Sequence, residues 1–319
     1  MAEELLTQQQ ISPAKKKHEG SLKRRRIISN TFIYIILVII CLVWLIPFVA
    51  ILLQSFNVDW YYAAQEKIAE GSLTEMPRGG GVVNYLIPVH WGFQNYINLF
   101  AKSNFGKWYL NTFIISLVTA IIQTFMVMTM AYTLSRLRFK GRKLLMNFML
   151  ILGMFPGFLS MIILYFILKD LGLTESGAVG GLILVYTASS GMGYYVCKGF
   201  FDTIPKSLDE AARIDGATRL QVMTKVILPL SKPIIIYTIL TAFMGPWGDF
   251  MFARYIAFGD DTAYNVALGL NQFLVQDQIG KSYTLFCAGG VLVAIPITIL
   301  FMFLQRYYVE GVTGGAVKG

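Results

Sequence analysis

The stretch TFIYIILVIICLVWLIPFVAILL, from Thr31 to Leu53, runs without one charged side chain. About 20 apolar residues are enough to cross the hydrocarbon core of a bilayer as a helix. Lipid offers backbone amides no partners, so a run of this kind must bond its own amides and forms a helix. Four more uncharged runs follow: Trp108 to Leu134, Leu144 to Leu168, Ser176 to Cys197, and Tyr283 to Gln305. A further one starts at Pro233 and is interrupted late by Asp249 and Arg254. The expected fold is therefore an all-α membrane protein with six transmembrane helices. Composition agrees: of 319 residues, 55% are hydrophobic and only 14% charged, against about 25% charged in soluble domains. Two ordinary soluble domains are excluded.

The formal charge is +9, which by itself would suit nucleic acid, but its distribution gives another answer. With the N-terminus inside, the arm carries seven basic residues, the Ser135 to Lys143 hairpin five, Lys198 to Lys232 six and the tail from Arg306 two. That places 20 of the 27 Lys and Arg inside, while the 18 acids divide 8 to 10. A bias confined to Lys and Arg is a topology signal, with both termini cytoplasmic; nucleic acid is not needed to explain it. The first run exceeds the 7–15 residues of a typical signal-peptide core and no small-x-small site follows it, so it reads as an uncleaved anchor. Residues 1–26, polar and Lys/Arg-rich, read as a disordered cytoplasmic arm beside anionic headgroups; residues 27–319 read as the transmembrane domain.

Cys41, Cys197 and Cys287 all fall in apolar runs, which excludes a disulfide scaffold and a cysteine-ligated zinc site. His18 and His90 are too few for a histidine-rich metal centre. No metal site and no catalytic set is expected, because no Ser/His/Asp arrangement suits nucleophilic chemistry. Gly280-Lys281-Ser282 imitates a phosphate-binding loop, but such a loop needs a glycine where Val275 stands.

Four segments outside the spans are long enough to act: outer loops 54–107 and 254–282, the inner segment 198–232, and the inner tail 306–319. The first outer loop carries a Gly79-Gly80-Gly81 break and aromatic residues. Trp60, Tyr61, Tyr62 and Trp91 suit either an interfacial belt or ligand contact. Gly153 with Gly157, and Gly177 with Gly181, have the spacing that lets helices approach closely. Pro156, Pro246 and Pro296 are expected to kink their spans.

The inner segment is the most informative. Pro205 stops the preceding helix. Ser207 with Glu210 has the spacing of a capping box, and Gly216 sits where a helix would end in a left-handed turn. Thr218 with Gln221 repeats the box and opens a second helix running to Pro229. Ala211 and Ala212 keep the first helix slim enough for another surface to approach.

Glu210-Ala211-Ala212, three residues, Gly216, nine residues, Val226, one residue and Leu228-Pro229 together resemble the EAA loop of ABC importer permeases; Val226 stands where isoleucine is usual. The end of the chain, from Lys281-Ser282-Tyr283 through Ala294-Ile295-Pro296 to Gly311-Val312-Thr313-Gly314-Gly315, is similar to the maltose-type sugar permeases, MalG-like subunits in particular. Trp247-Gly248-Asp249-Phe250 resembles the WNDF-like stretch of that group, departing at Gly248.

The resemblance implies a type I ABC importer permease with a cytoplasmic coupling helix between spans four and five. It further implies a binding-protein-dependent oligosaccharide importer in a bacterial inner membrane. Partners would be a MalF-like second permease, two cytoplasmic ATPase subunits holding ATP and magnesium, and an extracellular solute-binding protein; this chain would hold no cofactor. Glu210 and Asp215 would make polar docking contacts to an ATPase, Ala211 and Ala212 the close approach, Gly216 the turn, with Leu228 and Pro229 closing the motif. By position, Asn271, Gln272 and Phe273 would form a scoop toward the binding protein, or an exposed connector.

Asp249 is a carboxylate within an apolar run, and such charges face a cavity or a partner. Flanked by Trp247 and Phe250, it could bond sugar hydroxyls along the substrate path; equally it could pair with Arg254 or sit near the outer headgroups. A stand-alone ion-coupled transporter or channel is the alternative from another class. That class predicts several buried ionisable residues and internal repeats, whereas the sequence offers Asp249 alone.

Overall fold

The computed structural model describes residues 13–154, 157–188 and 193–316, with side chains for 27–154, 157, 159–188 and 193–305. The described residues are almost wholly helical, with one isolated antiparallel bridge between Asn57 and Trp91. The chain divides into two compact units, Met1–Leu53 and Gln54–Gly319.

The first unit is essentially one helix, α1, Pro13–Ser55, which runs on two residues past the unit boundary. It opens earlier than the charge-free run, so residues 13–26, expected as a disordered arm, are helical. Lys and Arg are good helix formers, and the apolar span downstream supplies the nucleus they extend from. The expectation for residues 1–12 lies outside the described residues. Pro47 sits inside α1 without ending it.

In the second unit the long, mostly apolar helix α4, Phe105–Arg136, is the centre. Helices α7 (Ala178–Ala188), α8 (Gly193–Thr203), α11 (Lys232–Gly248) and α13 (Val266–Asn271) all pack on it. The last helix, α14, Gln276–Ala316, packs on α11 and is not broken by Pro296. Pro246 is likewise tolerated near the end of α11, and Pro156 lies outside the described residues. The third run is divided between α5 (Arg142–Gly153) and α6 (Gly157–Asp170). Among the described residues three helices are long and apolar enough to cross a membrane alone. Two bent pairs also qualify, Leu159–Asp170 with Glu175–Thr203 and Arg219–Leu230 with Lys232–Gly248. Gly177 and Gly181 do permit a close approach, but to the backbone of the turn before α7, Gly172 and Leu173, rather than to a separate helix. Gly280-Lys281-Ser282 lies within continuous helix.

The segment 54–107, read as a loop, is knitted to the start of α14. It contains α2 (Asp59–Ala69) and α3 (Gln94–Ala101). Asn95 on α3 is fully buried; its amide donates to the carbonyls of Ser55 (2.9 Å) and Asn57 (2.8 Å). Its carbonyl accepts from Trp60 Nε1 (2.9 Å) and from Thr284 Oγ1 (2.8 Å) on α14. Gly80 donates to Thr284 Oγ1 at 2.8 Å, and the Thr284 amide returns a bond to Gly80 O at 3.1 Å. A Cβ on Gly81 would collide with Gly280 O, and one on Gly80 would lie 2.6 Å from the Trp60 ring. The glycine triplet is thus required by close approach, and it is a seam rather than a break.

Asp59 fastens the far side of this segment. Its carboxylate accepts from the amides of His90 (2.6 Å) and Val89 (3.1 Å), from Tyr85 Oη (2.9 Å), and contacts His90 Nδ1 (2.8 Å). Burial pushes the carboxyl upward, but these bonds outweigh it and hold it below the usual carboxylate range. A carboxylate favoured in the folded state stabilises above its unfolded pKa, and that contribution is lost as pH falls through the lowered value. Asp59→Asn should therefore lower the thermal midpoint at pH 7. The gap between wild type and variant should close below about pH 4; a gap unchanged at pH 3 would contradict the assignment.

Candidate functional site

The inner segment folds as a short helix, a tight turn and a second helix. Helix α9 spans Lys206–Ile214 with Pro205 at its N-cap, and no side chain caps it. The Ser207–Glu210 box does not form. Pro205 holds the extended conformation of an N-cap and leaves no amide to satisfy, so the helix starts one residue before Ser207. The end of α9 matches expectation: Gly216 has φ +83°. The Gly216 amide bonds Arg213 O at 3.1 Å and the Ala217 amide bonds Ala212 O at 2.9 Å, which is the paired arrangement of a Schellman motif. The second capping box is complete, with Thr218 and Gln221 bonding each other's backbone amides.

Helix α10, Arg219–Leu230, carries a π-helical turn at Val222–Ile227, where the Leu228 amide reaches back to Met223 O. Pro229 follows within its last turn, Ser231 is fully buried with its hydroxyl on Ile227 O at 2.7 Å, and the chain bends by 83° into α11. Pro233 falls in the first turn of α11, where the missing amide costs nothing.

Two faces of α9 differ. Ala212, with Ala217 and Leu228, packs against a buried cluster containing Phe201, Ile204, Val222 and Ile227. Ser207, Ala211 and Ile214 lie on the outward side, and Ile214 is 86% exposed. Glu210, Asp215 and Pro229 are also exposed. Coupling candidates therefore divide into outward-facing residues (Glu210, Ala211, Asp215, Gly216, Pro229) and anchoring ones (Ala212, Leu228).

The anchor that sequence reading missed is Arg136, at the end of α4. Its side chain is 3% exposed, its Nη2 donates to Phe201 O and Ile204 O at 2.9 Å each, and its Nε lies 3.2 Å from Asp209 Oδ2. One guanidinium thus caps the C-terminal carbonyls of α8 and holds the first turn of α9. Counted among hairpin charges, Arg136 served only as a topology signal; a carboxylate at Asp209, in the first turn of the helix that follows α8, was the available clue. Nearby, Tyr132 Oη on α4 donates to Arg219 O at 3.0 Å.

At the other end of α11, Trp247, Asp249 and Phe250 do not share one surface. Trp247 is buried against Phe243 and Tyr109. Asp249 sits at the break between α11 and α12 (Met251–Ala257): Oδ2 accepts from Tyr186 Oη at 2.5 Å, and Oδ1 accepts from the Phe252 amide at 3.0 Å. Its carbonyl accepts from Asn265 Nδ2, which also bonds Pro246 O. Both carboxylate oxygens are thus engaged within the chain, and the partner is Tyr186 rather than Arg254. The Arg254 guanidinium instead lies over the rings of Phe250 and Phe258, at 5.8 and 5.7 Å. Phe250 and Arg254 line a cavity of about 610 Å³ with Tyr165, Glu175 and Tyr255.

The segment 254–282 is not a projecting loop. Helix α13 lies buried along α4, where a Cβ on Gly269 would collide with the Trp108 ring. Trp108 Nε1 donates to Asp261 O at 2.6 Å, and Asn111 donates to Thr262 O and Tyr264 O. Phe273 is buried against Trp108, while Asn271 and Gln272 are half-buried. Asn265 and Tyr186 went unnoticed in the sequence because neither stands out from its neighbours by type.

Comparison with known proteins places this geometry. Residues 128–314 match the model of the family described as binding-protein-dependent transport system inner membrane component. The galactooligosaccharides transport system permease protein GanQ of Bacillus subtilis is 35% identical over 94% of this chain and 99% of its own length. The maltodextrin transport system permease protein MalD of Streptococcus pneumoniae is 32% identical over the same shares. A solved bacterial ABC transporter involved in alginate import has a chain that superposes with a TM-score of 0.71 at 23% identity, covering 89% of this chain and 98% of that one; this supports the fold. The matched region contains α9, α10 and the bend into α11, and on these grounds the chain belongs to the binding-protein-dependent transport system inner membrane components: it is a transport permease, not an enzyme.

Proposed function

We propose that this chain is one half of the translocation path of an ATP-driven oligosaccharide importer in a bacterial cytoplasmic membrane. In this reading six spans cross the bilayer with both termini cytoplasmic, and α9 docks on one of two ATPase subunits. A MalF-like permease completes the path and an extracellular binding protein delivers the sugar. ATP and magnesium act on the ATPase subunits, and this chain needs no cofactor. Relatives whose names specify galactooligosaccharides and maltodextrin transport support the substrate class.

One observation carries the coupling role. Ile214 is almost wholly exposed at the end of a helix fixed by a Schellman turn, a capping box and a buried arginine. A rigidly held apolar side chain in water is the form of a docking point, since covering it recovers about 25 cal/mol per Å² of apolar surface. Glu210, Ala211 and Asp215 surround it on the exposed side. Closure of the ATPase pair would move α9, and the buried bonds of Arg136 would pass that movement to α4 and α8. ATP and loaded binding protein would favour the outward-facing state by differential affinity. Phe250, on the wall of the 610 Å³ cavity, is the candidate for sugar contact; Trp247 and Asp249 hold the helix break behind it. Asn271 and Gln272 remain the residues proposed toward the binding protein, with Phe273 as their buried anchor.

The test is reconstitution of the assembly with Ile214→Asp or Glu210→Lys in this chain. Both should leave the chain in the membrane, and both should reduce sugar uptake per ATP hydrolysed by roughly five- to thirtyfold, the loss of about one to two kcal/mol of docking. Wild-type coupling in both variants, or uptake by this chain without any ATPase, would overturn the reading.

A further inference from the structure

Beside α9, lined by its Lys206, Asp209, Glu210 and Arg213, lies a cavity of about 400 Å³. Six cationic side chains line it, Arg136, Arg138, Arg142, Lys206, Arg213 and Arg219, against two carboxylates. They come from α4, the turn after it, α5, α9 and α10, so the convergence is made by the tertiary fold and not by one basic run. Arg136 supplies the decisive detail. Its side chain is 97% buried and Nη2 is doubly bonded, yet Nη1 is buried without any hydrogen-bond partner. A buried guanidinium N–H without an acceptor is costly, and a charged oxygen acceptor is its strongest partner. Arginines present fixed forks of donors that match phosphate oxygens.

We propose that this cavity binds a phosphate-class anion, held by Arg136 from below and by Arg142 and Arg219 from the rim. The bound anion would tie α5 and α10 to the end of α4 and so stiffen the base of α9. Lys206, Asp209, Glu210 and Arg213 of α9 line the cavity while Ser207, Ala211 and Ile214 do not, so an anion held by Arg136, Arg142 and Arg219 leaves Ala211 and Ile214 free; the site stands whether or not α9 docks on an ATPase. Two sources supply the same chemistry: the headgroup of an anionic phospholipid, for which basic pockets between spans are suited, and a soluble phosphate.

The experiment uses the full-length chain and an Arg142→Gln/Arg219→Gln variant in lipid nanodiscs, following the thermal midpoint. Both substituted side chains line the cavity; the fold uses the Arg219 carbonyl, not its guanidinium, and the Arg142 guanidinium makes one long bond, Nη1 to Leu137 O at 3.5 Å. One arm titrates inorganic phosphate in pure phosphatidylcholine; the other raises the phosphatidylglycerol fraction without phosphate. A saturable rise in the first arm identifies a soluble ligand, and in the second a lipid headgroup. In either case the variant should need roughly thirtyfold more ligand, since each basic residue near an anionic surface contributes about a factor of five. No saturable rise in either arm, or identical curves for wild type and variant, would overturn the proposal.

Discussion

Arg136→Met should destabilise the second unit by about 3 kcal/mol, the lower part of the range for removing one partner of a buried ion pair. Three losses coincide. The carbonyls of Phe201 and Ile204 lose their shared donor, and Asp209 loses the charge that faces it. Methionine fills much of the volume, so the cavity cost is small and the loss is electrostatic. Asp209→Asn should cost less, because Asp209 is partly exposed and Arg136 keeps its two carbonyls. The double variant should be less destabilised than the two single losses added together, since the pair can be broken only once. Strict additivity in thermal or denaturant unfolding of the purified chain would show that the pair carries no energy.

Asn95→Ala is expected to have an effect of similar size, about 3–4 kcal/mol, by withdrawing four hydrogen bonds together, three of them buried. Its location is diagnostic: hydrogen exchange should rise in residues 55–60 and at 80–81, where the glycine seam meets Thr284, before it rises in α4. Asn95→Asp should not rescue. It keeps acceptors for Trp60 and Thr284, but loses both donors and places a carboxylate against two carbonyl oxygens. Full stability in the aspartate variant would mean that the two donated bonds contribute nothing.

The apolar runs were legible because hydrophobicity is a summed property: Trp108 to Leu134 announces α4 whatever its neighbours do. Local backbone chemistry was legible where one residue type suffices. Gly216 takes its positive φ and Thr218 with Gln221 closes its box, since both depend on residues a few positions apart. Ser207–Glu210 shows the limit, because the same spacing was overridden by Pro205. Long-range polar partners were illegible. Asn95 to Thr284, Arg136 to Asp209 and Tyr186 to Asp249 join residues 189, 73 and 63 positions apart. Nothing in an amide or phenol marks which distant carbonyl it will meet. For the same reason segments 54–107 and 254–282 read as loops: their polar residues, taken for solvent contacts, are spent on one another and on the spans.

The elbow at Ser231 has a mechanical consequence. Helix α11 contains 17 residues, a rod of about 25 Å at 1.5 Å per residue. Since it leaves α10 almost at a right angle, a tilt of about 10° at its foot would swing its tip by about 4 Å, given that length. That exceeds the reach of the bond from Tyr186 to Asp249, so with α7 held in place a tilt of this size at the elbow would part the two side chains at the far end of the rod.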